Sequence, residues 1–162
     1  MALNDIVIYS EGAFGYPGDR NFAVASGAAA SINAGEPVSK ALGATVVAAL
    51  ATSKPVVGTD YMAGIASTIS TDTATAAGTV SVTKLVDGDS YLISPKVAST
   101  WNTQAKYDAL VGARVTFDLT AGTYTINSTD GSGNGLVVEP LDIVKVPGKV
   151  RFSIRSGVAY TA

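Results

Sequence analysis

The chain has neither cysteine nor histidine among its 162 residues. Without thiols it carries no disulfide framework, no thiolate nucleophile and no cysteine-based zinc or iron–sulfur site, and its redox compartment stays open. The missing histidine bears more directly on chemistry. Imidazole most readily moves protons near neutral pH and most often ligates transition metals, so the common hydrolase designs are removed. Charge is sparse too: 11 basic and 13 acidic residues leave a formal net charge of −2, and charged side chains make up 15% of the chain, against about 25% in an average domain. Neither sign is clustered, whereas nucleic-acid binding relies on grouped Lys and Arg that displace counterions, so no nucleic-acid partner is expected. The most apolar window, residues 41–51, is far shorter than the ~20 residues a helix needs to cross a bilayer. The opening Met1-Ala-Leu-Asn-Asp lacks the basic and apolar segments of a secretory signal, so neither export nor a membrane partner is expected.

What the chain does have is small residues and β-branched Val and Thr, the composition of a surface built for packing. Its length suits one domain plus an arm, with enough buried surface to fold without a metal or covalent staple. From Leu3 to Phe22 a short strand-like run, Ile6 to Tyr9, leads into a segment punctuated by Gly12, Gly15, Pro17 and Gly18 that forbids a continuous helix or central strand. Residues 1–22 are therefore expected to form an extended N-terminal arm, and residues 23–162 a single β-rich domain. An ordinary edge strand and surface loop is the competing reading. Phe14, Tyr16 and Phe22 favour the arm, because large rings in an irregular segment need a partner surface.

The rest of the chain alternates β-branched or aromatic runs with Gly, Asp, Pro and Thr clusters, the mark of a mainly antiparallel all-β domain. Ser31 to Ala41 reads as strand, turn, strand around Gly35 and Pro37; residues 41–52 could be a short helix or a strand about Val46 and Val47, and the strand with irregular flanks is expected. Further strands are expected at Val56-Val57, Tyr61 to Ile69, Gly78 to Val86, Tyr91 to Val97, Leu136 to Val138, Asp142 to Val146 and Lys149 to Ile154. One short helix should open near Ser99-Thr100 and close at Gly112, with Tyr107, Leu110 and Val111 on its buried face. The firmest local pattern is a hairpin turning at Ala121-Gly122, which puts Val115, Phe117, Leu119, Tyr124 and Ile126 on core faces.

Few constellations carry chemistry, and no enzyme, cofactor or metal is expected. Asp130-Gly-Ser-Gly-Asn-Gly invites comparison with a calcium loop, but the position that needs a bidentate glutamate is Leu141, and a plain turn loop explains the glycines. Asp87-Gly-Asp89 reads the same way. Ser81-Val-Thr-Lys84 satisfies the Ser-x-x-Lys spacing of acylating enzymes without their companion motifs. Two acids could meet from distant strands, as in glycosidases, and one sequence does not test this. Trp101, the only tryptophan, reads as a core or rim packing residue first and a subunit contact second.

Ile32-Asn-Ala-Gly-Glu-Pro-Val, then Tyr61-Met-Ala-Gly-Ile-Ala-Ser-Thr, then Thr71-Asp-Thr-Ala-Thr-Ala-Ala-Gly-Thr-Val-Ser-Val resembles the capsid decoration, or cement, proteins of tailed bacteriophages. The likeness spans Ser31 to Val97 and is weaker in the C-terminal strands; residues 41–55 depart from the pattern. The resemblance implies a β-tulip or barrel-like domain, made in the host cytoplasm and bound as a homotrimer to the major capsid protein on the outer surface of the virion. It implies an arm that adds a strand to a capsid sheet edge, with Ile6, Ile8, Tyr9, Phe14, Tyr16 and Phe22 as contacts. On that reading, removal of residues 2–22 should leave a folded domain that no longer binds heads. Other virion subunits, such as a tail tube, fibre or head–tail joining protein, and a carbohydrate-binding module are the alternatives.

Overall fold

Alternation is cleanest in Val150-Arg-Phe-Ser-Ile154, and in the computed structural model this segment buries Val150, Phe152 and Ile154 while Arg151 and Ser153 face the other side. The structure describes residues 6–10, 19–27, 31–85 and 89–158. Among these the strands are β1 (Val7–Ser10), β2 (Asp19–Val24), β3 (Pro37–Ser39), β4 (Ala48–Ala49), β5 (Met62–Ala66), β6 (Gly78–Thr83), β7 (Ser90–Ile93), β8 (Arg114–Val115), β9 (Phe117–Thr120), β10 (Thr123–Ile126), β11 (Leu136–Val138) and β12 (Val150–Ile154). The one α-helix, α1, covers Gln104–Asp108.

The first sheet runs β1-β7-β12-β11-β8, the second β2-β6-β5-β3-β4, and β9 with β10 forms a separate hairpin. Every ladder between named strands is antiparallel. The fold is thus all-β and mainly antiparallel with a single short helix. The described residues form no closed barrel. The edges of the second sheet meet at one parallel bridge, where Val47 N–H donates to Ala23 C=O at 2.9 Å, without a ladder.

The hairpin turns as its sequence requires. Ala121 and Gly122 sit at φ of +50° and +79°, the left-handed pair of a two-residue turn whose twist matches the flanking strands. Val115, Phe117, Tyr124 and Ile126 are buried and Leu119 is partly so.

Other boundaries moved for local reasons. The helix opens later than expected, because Thr103 caps it by accepting from Lys106 N–H, and Ala98–Thr100 forms a 3-10 turn before it. Tyr107 is buried and Leu110 partly buried, but Val111 lies beyond the helix and is exposed. Val56 forms only an isolated antiparallel bridge, to Asn134, with a turn from Val57, and Asp142 to Val146 is turn; an aspartate captures backbone in each, Asp60 accepting Val56 N–H at 2.9 Å and Asp142 accepting Val144 N–H at 3.1 Å. Residues 41–52 are mostly turn, with β4 as their strand.

Two apolar cores result. The larger one joins the first sheet to the hairpin through Tyr91, Phe152, Phe117 and Tyr124, whose successive ring centroids lie 5.6, 5.5 and 6.1 Å apart. The smaller, with Val24, Ile32, Val38, Val47, Val80 and Val82, fills the curl of the second sheet. β5 serves both. Met62 and Ile65 pack on the larger core and Ala63 and Ala66 on the smaller, a one-residue slip in the usual alternation. The slip lies where the β3–β5 register shifts, and Gly64 there has φ of +154°. A Cβ on Gly64 would collide with Thr83 C=O and Val82 Cγ1.

Tyr107 holds the helix on the first sheet by a different means. Its hydroxyl accepts Arg151 N–H at 2.9 Å and donates to Glu139 C=O at 2.9 Å, filling the fork where β11 and β12 part. Burial pushes this phenol up to about 12.

Gly64→Ala is expected to lower stability by at least about 2 kcal/mol through backbone strain and overpacking, read as a reduced urea midpoint. Tyr107→Phe keeps the ring and removes both hydrogen bonds; equilibrium denaturation should show a loss of about 1–3 kcal/mol.

Candidate functional site

The sequence assigned contact roles to six N-terminal side chains; of those among the described residues, Ile8, Tyr9 and Phe22 belong to two sheet-edge strands and Ile6 directly precedes the first. Ile6 is partly buried against the larger core. Ile8 and Tyr9 belong to β1, which pairs antiparallel with β7, Val7 opposite Leu92 and Ile8 opposite Tyr91, with an irregularity before Ser10. Phe22 belongs to β2 and packs partly buried against the smaller core. Phe14 and Tyr16 lie outside the described residues. Within the segment expected as an extended arm, therefore, Val7–Ser10 and Asp19–Val24 are edge strands of the chain's own sheets. Main-chain pairing with β7 and β6 explains the placement.

Trp101 is 4% exposed and meets Tyr107 edge-on, 5.6 Å between centroids. It is a core residue here, and its indole N–H finds no acceptor.

In the loop compared with a calcium site, the side-chain groups are used internally. Asp130 Oδ1 accepts Arg114 N–H at 2.7 Å, and Asn134 Nδ2 donates to Arg114 C=O at 2.9 Å and to Thr129 C=O at 3.1 Å. No group of three or more metal-ligating side chains occurs among the described residues. Ser81 lies within β6 and Lys84 one residue past its end.

An open groove of about 550 Å³ is lined by Gln104 and Asp108 of α1, Leu141, Asp142 and Val144 of the following turn, and Arg151 of β12. Pattern reasoning missed it because its walls are far apart in sequence. Its polar groups hold the 140–143 turn in place: Gln104 Nε2 donates to Asp108 at 2.7 Å and to Leu141 C=O at 2.9 Å, its Oε1 accepts Ile143 N–H at 3.1 Å, and Arg151 Nη1 donates to Pro140 C=O at 3.2 Å.

Among the described residues, four carboxyls are displaced from their ordinary range, all downward. Asp19 is lowered first by the Thr83 hydroxyl, Asp72 by the Ser70 hydroxyl, Asp118 by Lys96 and Asp142 by Lys145. A glycosidase general acid needs the opposite shift, so none of these four is prepared for that role. Asp118 is the most enclosed of them, with its side chain 9% exposed, 2.6 Å from Lys96 Nζ and 2.7 Å from the Thr120 hydroxyl. This pair ties the segment after β7 to the hairpin.

A carboxyl lowered by folding stabilises the folded state above its unfolded value, about 3.9 for aspartate, and that contribution disappears as pH falls through the lower folded value. Stability should therefore decline below about pH 4. Lys96→Met should make the decline shallower and cost about 1–3 kcal/mol at neutral pH, as denaturation midpoints across pH would show. Comparison with protein-family models, curated proteins and solved structures finds no match for this chain.

Proposed function

We propose that the chain is a non-enzymatic structural subunit, a decoration protein that binds the outer surface of a tailed-phage head as a trimer and stabilises the shell by bridging capsid subunits. The observation that carries the reading is the build of the N-terminal segment. It supplies an edge strand to each sheet, β1 to one and β2 to the other, and between them runs the Gly/Pro-punctuated stretch holding Phe14 and Tyr16. An edge strand offers backbone groups for strand addition, and nearby aromatic rings supply anchors. The sequence likeness over Ser31 to Val97, the 15% charge and the apolar side chains exposed at Leu42, Ile69 and Val144 support adhesion between protein surfaces. Three linked copies would raise avidity by orders of magnitude without new contacts, and binding that selects the assembled shell stabilises it by mass action. The carbohydrate-binding alternative gains nothing from the groove, which no aromatic side chain lines.

The placement of β1 and β2 changes the experiment. Removing residues 2–22 would delete β1 and four of the six residues of β2, Asp19 to Phe22, and so is expected to damage the fold itself. The Phe14→Ser/Tyr16→Ser double variant spares both strands. Mixed with undecorated tailed-phage heads and sedimented, it should bind at least roughly tenfold more weakly than the parent while keeping the parent's circular dichroism. Equal binding by parent and variant would remove the segment from the interface. A parent chain that stays monomeric and binds no head would sink the assignment.

A further inference from the structure

The two edges of the first sheet are finished differently. β1 forms one edge, and at the other β8 turns the N–H and C=O of Arg114 away from its partner β11. These are the groups through which a further strand would add. Residues 127–134 cover them: Asp130 Oδ1 takes Arg114 N–H at 2.7 Å, Arg114 C=O receives Gly131 N–H at 3.0 Å and Asn134 Nδ2 at 2.9 Å, and Asn127 N–H donates to Thr116 C=O at 3.1 Å. The loop is a guard over the edge.

Asn134 is followed by Gly135, the single Asn-Gly pair in the sequence. Such a pair is chemically labile, because the unhindered glycine nitrogen can reach the side-chain amide carbon. Gly135 N bonds to Asn134 Cγ, the Cγ–Nδ2 bond breaks and ammonia leaves with the displaced proton. Water then opens the succinimide to aspartate or isoaspartate. In the folded chain both reacting groups are engaged elsewhere. Gly135 N–H donates to Pro55 C=O at 2.8 Å, Asn134 Nδ2 is held by Arg114 and Thr129, and Arg155 Nη1 donates to Asn134 C=O at 2.7 Å. We infer that Asn134 is a deamidation site which the native fold holds closed, and that its conversion removes the guard from β8 and opens that edge to self-association. The product explains the direction: an oxygen replaces a donor facing two carbonyl oxygens.

The test needs no ligand. Parent protein is incubated at mildly alkaline pH, native and in denaturant, and peptide mass spectrometry follows conversion at Asn134. The native rate should be at least roughly tenfold slower, since reaction awaits local opening. Asn134→Asp should lower the denaturation midpoint and produce association beyond that of the parent in light scattering. Asn134→Ser, whose shorter side chain has a single O–H and so loses the two-pronged amide contact without adding charge, should also associate and keeps the test valid if the aspartate variant does not fold. Equal conversion rates in the two conditions would overturn the closed state, and parent-like association by Asn134→Ser would overturn the guard.

Discussion

A single short strand answers to two cores, and that requirement shapes the molecule. β5 delivers Met62 and Ile65 to the larger core and Ala63 and Ala66 to the smaller. Strict alternation would send residues 62, 64 and 66 to one face, so placing Ile65 beside Met62 and Ala66 beside Ala63 takes one slip of phase. Gly64 supplies the slip, at a backbone angle unsuited to a side chain and against a backbone oxygen that leaves no room for one. The aromatic series from Tyr91 to Tyr124 then fixes the hairpin to the first sheet, while the second sheet curls around a core of valines and small residues.

Much of this architecture was legible as pattern. The Ala121-Gly122 hairpin, the run Leu136–Val138 and the alternating Val150–Ile154 could be read directly, because their own residues and nearest neighbours decide them. The failures share one mechanism. Val56-Val57 and Asp142 to Val146 have strand-like composition, yet an aspartate accepts the N–H of Val56 in one and of Val144 in the other, and neither segment extends into a strand. The helix moved because Thr103 won the capping role from Ser99 and Thr100. Composition reports what a segment would bury; it does not report which side chain will seize its backbone.

The candidate site was less legible for the same reason. The rings of Phe14, Tyr16 and Phe22 marked the N-terminal segment as unusual, but which strand pairs with β7 or β6 is a long-range matter. The protection of Arg114 depends on residues up to 20 positions away and leaves no periodic trace. Polar side chains repeatedly serve loops and edges: Glu36 takes the Asn33 backbone and amide N–H groups, Asp60 takes Val56, Gln104 takes Leu141 and Ile143.

The order of strands in the first sheet also sets a schedule. β12, the last in chain order of the described strands, lies at the centre, with β1 and β7 on one side and β11 and β8 on the other. During translation these halves have no ladder between them until residues 150–154 clear the ribosome. Their apolar faces wait uncovered for that interval, so the nascent chain passes through a stage at which chaperone capture and misassembly compete with completion. Deleting Val150–Ile154 would therefore do more harm than deleting a peripheral strand of the same sheet.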